Sequence, residues 1–111
     1  MMREEQAKVS AFIQAYGLGQ NPQARMLDLI SEVGELSKEL LKASGYGELP
    51  VELTASIKEE LGDCLFSVLC LSEALGTDAQ EALDMVLRKY EQRFAATGQI
   101  GNVKPATPGA T

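Results

Sequence analysis

The sequence of 111 residues has no histidine, no tryptophan and only two cysteines. Without histidine, the common zinc sites, the Ser–His and Cys–His nucleophile pairs and the Glu-x-x-His di-iron bundles are excluded. Any chemistry must therefore be carried out by carboxylates or by Lys, Arg, Tyr or Cys side chains. Aromatic residues make up 5% of the chain, so the core is expected to consist of aliphatic side chains, which suits helices.

Long apolar runs and a basic surplus are also absent. The longest apolar run, residues 64–71, is interrupted by Ser67 and is too short to span a bilayer. The charged start of the chain does not resemble a signal peptide. The net charge of −6 predicts that nucleic acid and anionic membranes are not partners. Cys64 and Cys70 point in different directions on one predicted helix, so buried, unpaired thiols and a reducing, cytoplasmic location are expected.

Helical spacing of apolar residues, interrupted by glycine and proline, predicts an all-α fold. Four helices are predicted, over about residues 4–16, 22–44 and 51–75 and from an Asp78 N-cap to about residue 95. The third helix is expected to face inward through Ile57, Leu61, Cys64, Leu65 and Val68. Residues 1–97 are predicted to form the helical domain and residues 98–111 a flexible tail.

Two short acidic motifs lie on the second and third predicted helices. Glu32-Val33-Gly34-Glu35 and Glu60-Leu61-Gly62-Asp63 each place two carboxylates one helical turn apart, with Cβ atoms roughly 5–6 Å from each other. In a chain with 16 acidic residues, this spacing alone favours two solvated helix faces. The relation between the two motifs carries more information than either motif by itself.

The centre of the loop at residues 45–50 lies halfway between the two motifs. If the flanking helices form an antiparallel hairpin, the two motifs lie at the same height along the helices. Packed helices are roughly 8–10 Å apart, so the four carboxylates can converge. Converging carboxylates repel one another unless a cation intervenes, and hard divalent ions such as Mg²⁺ prefer oxygen ligands. Gly34 and Gly62 further suggest the close approach of another backbone. The sequence therefore predicts a metal site formed by Glu32, Glu35, Glu60 and Asp63.

On these residues the sequence resembles the MazG-like all-α nucleoside triphosphate pyrophosphohydrolases. The resemblance rests on residues 29–36 and 59–66, spaced like the family's E-x-x-E and E-x-x-D motifs, and extends over about residues 26–94. It implies a four-helix bundle-like MazG fold with an antiparallel central hairpin, completed by dimerisation in a homodimer or tetramer. It also implies that Glu32, Glu35, Glu60 and Asp63 bind Mg²⁺, with Mn²⁺ as an alternative. The implied reaction converts a ribo- or deoxynucleoside triphosphate to its monophosphate and pyrophosphate, as in nucleotide-pool house-cleaning.

The resemblance also suggests how the substrate would be held. Lys89 and Arg93 resemble the family's basic segment and are candidates for binding phosphate, although cations near a helix C-terminus also occur on solvated faces. Leu87 stands where many members have Asn, which weakens the phosphate assignment. A base could stack on an aromatic ring, and each candidate ring is also suited to packing within the protein: Phe12, Tyr16, Tyr46 and Phe66.

Two other functions remain open at the level of sequence. One is a pyrophosphohydrolase for a more specialised nucleotide, such as a phosphoribosylated ATP. The other is a non-catalytic helical dimer that binds a nucleotide or a protein partner, which needs apolar surfaces but not four converging acids. Asp28, Glu39 and Glu59 are expected to be solvated, with Glu39 also placed to assist a second metal ion.

Overall fold

The computed structural model describes residues 1–101, which form four α-helices and no strand. The helices are α1 (Met2–Tyr16), α2 (Pro22–Ala43), α3 (Ala55–Leu75) and α4 (Ala79–Thr97). The predicted all-α class is therefore confirmed. The flexible tail predicted for residues 98–111 lies outside the described residues from position 102 onward. Within the described part, none of the helices combines the length and apolar character needed to cross a membrane.

Side-chain caps define where α2 and α3 begin. The Asn21 side chain accepts a hydrogen bond of 2.9 Å from the Ala24 backbone N–H. The Thr54 hydroxyl accepts one of 3.1 Å from the Ile57 N–H. A side-chain oxygen at the N-cap thus pairs with a backbone N–H that has no partner within the first turn of the helix. The prediction that the third helix begins near Val51 is wrong, since residues 51–54, which end with this cap, are not helical.

The chain divides into two compact units, residues 1–79 and the segment from Gln80 onward. In the first unit, α3 is the central helix and packs against both α2 and α1. Arg25, early in α2, lies within electrostatic range of Cys70, late in α3, whereas the later Glu32 lies near Cys64. This inverse order confirms the antiparallel hairpin of α2 and α3. The second unit contains α4 from Gln80 to its end.

The apolar core of the described chain is small. The buried apolar side chains are Ile13, Ile57, Leu69 and Cys70. Cys64 is half-buried, and both cysteines are free, in line with the predicted unpaired thiols. The inward orientation predicted for three residues of α3 is wrong, since their exposed fractions are 41–58%: Leu61, Leu65 and Val68. Within the first unit, α1 and α2 pack against α3, whose buried residues include Ser67 and Leu69.

Candidate active site

Three of the four predicted metal ligands meet between α2 and α3. One carboxylate oxygen from each of Glu32, Glu60 and Asp63 lies within 4.8 Å of the other two; we refer to these residues as the acid trio. Glu60 and Asp63 are one turn apart on α3, and the antiparallel hairpin brings Glu32 of α2 to the same level. Glu32 and Glu60 are half-buried and Asp63 is exposed, so the trio is accessible from solvent.

Glu35 follows Glu32 by one turn on α2 and is exposed. It lies outside the group of three carboxylates that converge within 4.8 Å. Its negative charge nevertheless contributes to the raised pKa of Glu60, which places the two residues within electrostatic range. The role of Glu35 as a metal ligand therefore stays a prediction.

The charges that shift the pKa of Glu60 are all negative. Burial raises the pKa of Glu60 above its ordinary value, and the charges of Asp63, Glu32, Glu35 and Glu39 raise it further. Burial likewise raises the pKa of the adjacent Cys64 thiol, with added contributions from the three trio carboxylates. Carboxylates held this close favour the approach of a cation, because a cation relieves their mutual repulsion.

The trio carboxylates are not neutralised by basic side chains. Among residues 1–101, the ion pairs near this part of α2 involve other acids: Asp28 pairs with Arg25 at 3.6 Å and Glu39 with Lys42 at 3.7 Å. The surface role predicted for Asp28 is consistent with its exposed side chain. Glu32, Glu60 and Asp63 form no ion pair within the same part of the chain, so their charges remain available to a metal ion.

The donor set of the trio fits Mg²⁺. Carboxylate oxygens are the hard ligands that this ion prefers, and each Mg–O distance is about 2.1 Å, so oxygens on opposite sides of one ion are roughly 4.2 Å apart. The trio oxygens lie within 4.8 Å of one another. The three carboxylates are therefore close enough to hold one ion together. Three protein ligands leave coordination positions for water and phosphate oxygens.

The prediction that another backbone closely approaches Gly34 and Gly62 is wrong within residues 1–101. A Cβ atom added at either position would meet no heavy atom within 4 Å. Gly62 instead lines an open groove of about 260 Å³ between α1 and α3. The reason is rotational, since a residue two positions after Glu60 points about 200° away from it around the helix, opposite to the side where α2 packs.

Comparison with known families identifies the domain that carries these acids. Residues 20–96 match the model of the MazG nucleotide pyrophosphohydrolase domain. The matched segment contains both acidic motifs and the basic segment of α4. The chain belongs to the MazG nucleotide pyrophosphohydrolase family. The family resemblance of the sequence is thereby confirmed.

A relative from Bacillus subtilis extends the match to most of the MazG chain. The uncharacterized protein YpjD of Bacillus subtilis (strain 168) is 38% identical over 96 residues, which cover 83% of this chain and 85% of YpjD. A crystal structure of Bacillus subtilis YpjD, provisionally described as a pyrophosphatase, superposes with a TM-score of 0.69 and 36% identity. That superposition covers 84% of this chain and 95% of the YpjD chain.

The two predicted phosphate-binding cations lie on α4 of the MazG domain, in the second unit. The Lys89 ammonium is 5.1 Å from the centre of the Tyr90 ring, and the Arg93 guanidinium carbon is 6.0 Å from the same centre. Both cations are thus held over one aromatic ring, where the ring quadrupole attracts them. Their contact with substrate phosphate stays a prediction.

Three of the four aromatic candidates for base stacking form one cluster in the first unit. The ring centres of Phe12 and Tyr16 are 4.6 Å apart with an interplanar angle of 44°. Phe12 also meets Phe66 of α3 edge-on, with ring centres 5.8 Å apart. Tyr46 lies in the loop after α2 and has a positive φ of 62°. The sequence indicated these four rings as candidates but did not indicate which of them contact one another.

One buried polar residue that connects segments of the first unit was not identified from the sequence. Gln6 donates from Nε2 to the Glu73 carboxylate at 2.8 Å and to the Thr77 carbonyl at 2.9 Å. Its Oε1 accepts a hydrogen bond of 2.8 Å from the Ala79 N–H, at the start of α4. The available signal was its position seven residues before the buried Ile13, on the same side of α1.

Proposed function

We propose that this MazG-family protein hydrolyses a ribo- or deoxynucleoside triphosphate to the nucleoside monophosphate and pyrophosphate, using Mg²⁺ or Mn²⁺. The observation that carries the proposal is the convergence of Glu32, Glu60 and Asp63 within 4.8 Å inside a matched MazG domain. The provisional description of the YpjD structure as a pyrophosphatase agrees with this reaction.

The acid trio would hold the metal ion, with Glu35 as a fourth ligand after a change of side-chain conformation. When bound, the ion polarises phosphate oxygens and lowers the pKa of water. The chain's own contribution is to fix the carboxylates on two packed helices, so that little reorganisation is needed when the substrate arrives. One of the four carboxylates accepts the proton of the attacking water, whose oxygen joins phosphorus as the α–β anhydride bond breaks.

Lys89 and Arg93 are proposed to neutralise negative charge on the substrate phosphates. Both are cations of α4 beside the Tyr90 ring, and ammonium and guanidinium groups form short, charge-assisted hydrogen bonds to phosphate. An acidic chain of net charge −6 needs such groups, or metal ions, to bind a polyanion. Leu87 offers no hydrogen bond at the position where many family members have Asn.

A homo-oligomer is proposed because α2 and α3 of the single chain expose large apolar side chains. The exposed fractions are 56% for Ile30, 51% for Val33, 58% for Leu61 and 46% for Leu65. Exposed apolar surface of this kind is typical of protein–protein interfaces, and a second copy of the chain would bury it. Light scattering on the purified enzyme gives the mass that checks this part of the proposal.

The deciding experiment is a panel of ribo- and deoxynucleoside triphosphates incubated with the protein and Mg²⁺. The expected products are nucleoside monophosphate and pyrophosphate in equal amounts, separated by ion-exchange chromatography. A phosphoribosylated ATP is included to detect a more specialised substrate. Diphosphate with orthophosphate, or no turnover across the whole panel, would overturn the proposed function.

Matched variants connect the activity to the predicted ligands. Asp63→Asn and Glu35→Gln should each abolish turnover while leaving the helical circular dichroism signal unchanged. Glu59→Gln serves as the control, because Glu59 is an exposed glutamate beside Glu60 and outside the trio. Full activity in the Asp63 variant would show that the metal site is wrongly placed.

A further inference from the structure

The start of α4 is held by α1 through one side chain. Gln6 of α1 donates from Nε2 to the Thr77 carbonyl at 2.9 Å, and its Oε1 accepts a hydrogen bond of 2.8 Å from the Ala79 N–H, where α4 begins. We propose that Gln6 is a positioning residue for substrate binding. By fixing the start of α4, it places Lys89 and Arg93 for contact with the substrate phosphates. This inference rests on the proposed function for the role of the two cations.

Each polar atom of the Gln6 amide has a defined partner. Nε2 donates to two groups that can only accept, the Thr77 carbonyl and the ionised Glu73 carboxylate, whereas Oε1 faces the Ala79 N–H, which can only donate. Turning the amide by half a rotation would bring like groups together, so one orientation is favoured. Gln6 is 8% exposed, so water has little access to replace these bonds. An apolar side chain of the same size would leave the direction of α4 less restricted.

The link before α4 is short and is contacted by α1 at a second point. It consists of residues 76–78, and Asp78 pairs with Arg3 at 2.8 Å. The Arg3 side chain is 64% exposed, and ion pairs at the surface contribute little, so the buried Gln6 is the stronger constraint. The first compact unit ends at Ala79. The Gln6 contact therefore acts on the last residue of this unit, beyond which α4 continues.

The length of α4 makes the position of its cations sensitive to its first residue. Lys89 and Arg93 follow Ala79 by 10 and 14 residues, which corresponds to a rise of about 15 and 21 Å along the axis. A change of about 10° in the direction of the helix at Ala79 would move the two cations by roughly 3–4 Å. Charge-assisted hydrogen bonds are about 2.7–2.9 Å long, so a displacement of this size removes them.

The test measures phosphate binding directly. The probe is inorganic tripolyphosphate with Mg²⁺, and its affinity is measured by calorimetry on the full chain, under conditions in which urea unfolding shows that every variant is folded. Gln6→Met keeps the length of the side chain and removes its amide. Glu73→Gln is the matched control, because the new amide oxygen can still accept from Gln6 Nε2 and the contacts of Gln6 with Thr77 and Ala79 are kept.

Gln6→Met should lower the affinity for tripolyphosphate by about tenfold, as the loss of one hydrogen bond to a charged group does. Glu73→Gln should leave this affinity unchanged. In a protein that already carries Lys89→Gln and Arg93→Gln, Gln6→Met should cause no further loss, because residues that act through one another are not additive. An equal loss with and without the two cations would overturn the inference, since a general effect on the fold does not depend on them.

Kinetics provide a second readout for any nucleotide that the wild type hydrolyses. Gln6→Met should raise KM by about tenfold and leave kcat nearly unchanged, because the cations are proposed to bind phosphate rather than to react. A fall in kcat without a rise in KM would overturn the inference.

This design distinguishes the inference from the proposed function. If the wild type binds tripolyphosphate and the Gln6 effect depends on Lys89 and Arg93, but no nucleotide is hydrolysed, the positioning role stands and the catalytic proposal fails. If nucleotides are hydrolysed while Gln6→Met changes neither tripolyphosphate affinity nor KM, the catalytic proposal stands and the positioning role fails. A wild type that does not bind the probe, or a variant without both cations that binds it as tightly as the wild type, overturns the positioning role directly.

Discussion

Two glutamates on the same helix, Glu60 and Glu73 of α3, have opposite surroundings. Glu73 accepts hydrogen bonds from Ser10 and Gln6, which lower its pKa below the ordinary value. Burial and neighbouring carboxylates, Asp63 first among them, raise the pKa of Glu60. At one end of α3 the protein stabilises a carboxylate with its own donors, and in the middle it holds carboxylates together without neutralising them.

This difference separates a structural carboxylate from a candidate functional one. Hydrogen bonds to an ionised group stabilise the folded state, because they replace the lost hydration. Like charges held close destabilise it, and such an arrangement is typical of sites that bind a cation or a reacting group. Charge-neutral substitutions at the two positions should therefore have opposite consequences for stability and for activity.

The largest expected effect is on catalysis. Glu60→Gln should reduce nucleotide hydrolysis by about 100-fold or more. Loss of a metal ligand weakens metal binding at least as much as loss of a residue that only hydrogen-bonds to a ligand. Glu73→Gln should leave turnover unchanged. In urea unfolding without metal, the Glu60 variant should be at least as stable as the wild type, because repulsion is removed, whereas the Glu73 variant should lose about 1–2 kcal/mol. Equal losses of activity in the two variants would contradict the comparison.

A smaller effect is expected when the donors around Glu73 are removed. Gln6→Leu deletes the hydrogen bonds to Glu73, Thr77 and the Ala79 N–H, leaving partly buried groups unsatisfied. The free energy of unfolding should fall by about 1–3 kcal/mol, measured from urea transitions. Gln14→Leu, at an exposed position of the same helix, is the control and should leave stability nearly unchanged. A loss in the Gln14 variant as large as that in the Gln6 variant would remove the structural role assigned to Gln6.

The candidate site was more predictable from the sequence than the packing around α3. Asn21 with Pro22 and the glycines after α1 and α3 are local signals, so most helix ends were predicted within a few residues. The two acidic motifs were predicted to lie at the same height along α2 and α3, because they are equally far from the loop at residues 45–50 and the rise per residue is constant in a helix. The exception was the start of α3, where Thr54 caps the helix after residues that periodicity alone had assigned to it.

The packing errors have a common physical reason. Periodicity reveals which residues of α3 share a face, but not which neighbour covers that face. Leu61, Leu65 and Val68 form an apolar stripe that α1 and α2 leave exposed in the first unit. Gly62 likewise suggested close contact, although it borders an open groove. Long-range contacts such as that between Gln6 and Glu73 connect positions that no local pattern relates.

The smallest expected effect is the pH dependence of the Glu73 contribution. Because the folded-state pKa of Glu73 lies below the ordinary glutamate value of 4.5, the unfolded chain binds this proton at a higher pH than the folded chain does. The stabilisation is therefore fully present above about pH 4.5 and is lost as the pH falls through the folded-state pKa. Urea unfolding of the wild type and Glu73→Gln, from about pH 7 to about pH 3, should show a stability difference that is constant at first and then shrinks.

Glu4→Gln, on the exposed surface of α1, is the matched control. A difference that stays constant or widens toward low pH would mean that the hydrogen bonds from Gln6 and Ser10 do not favour the ionised carboxylate.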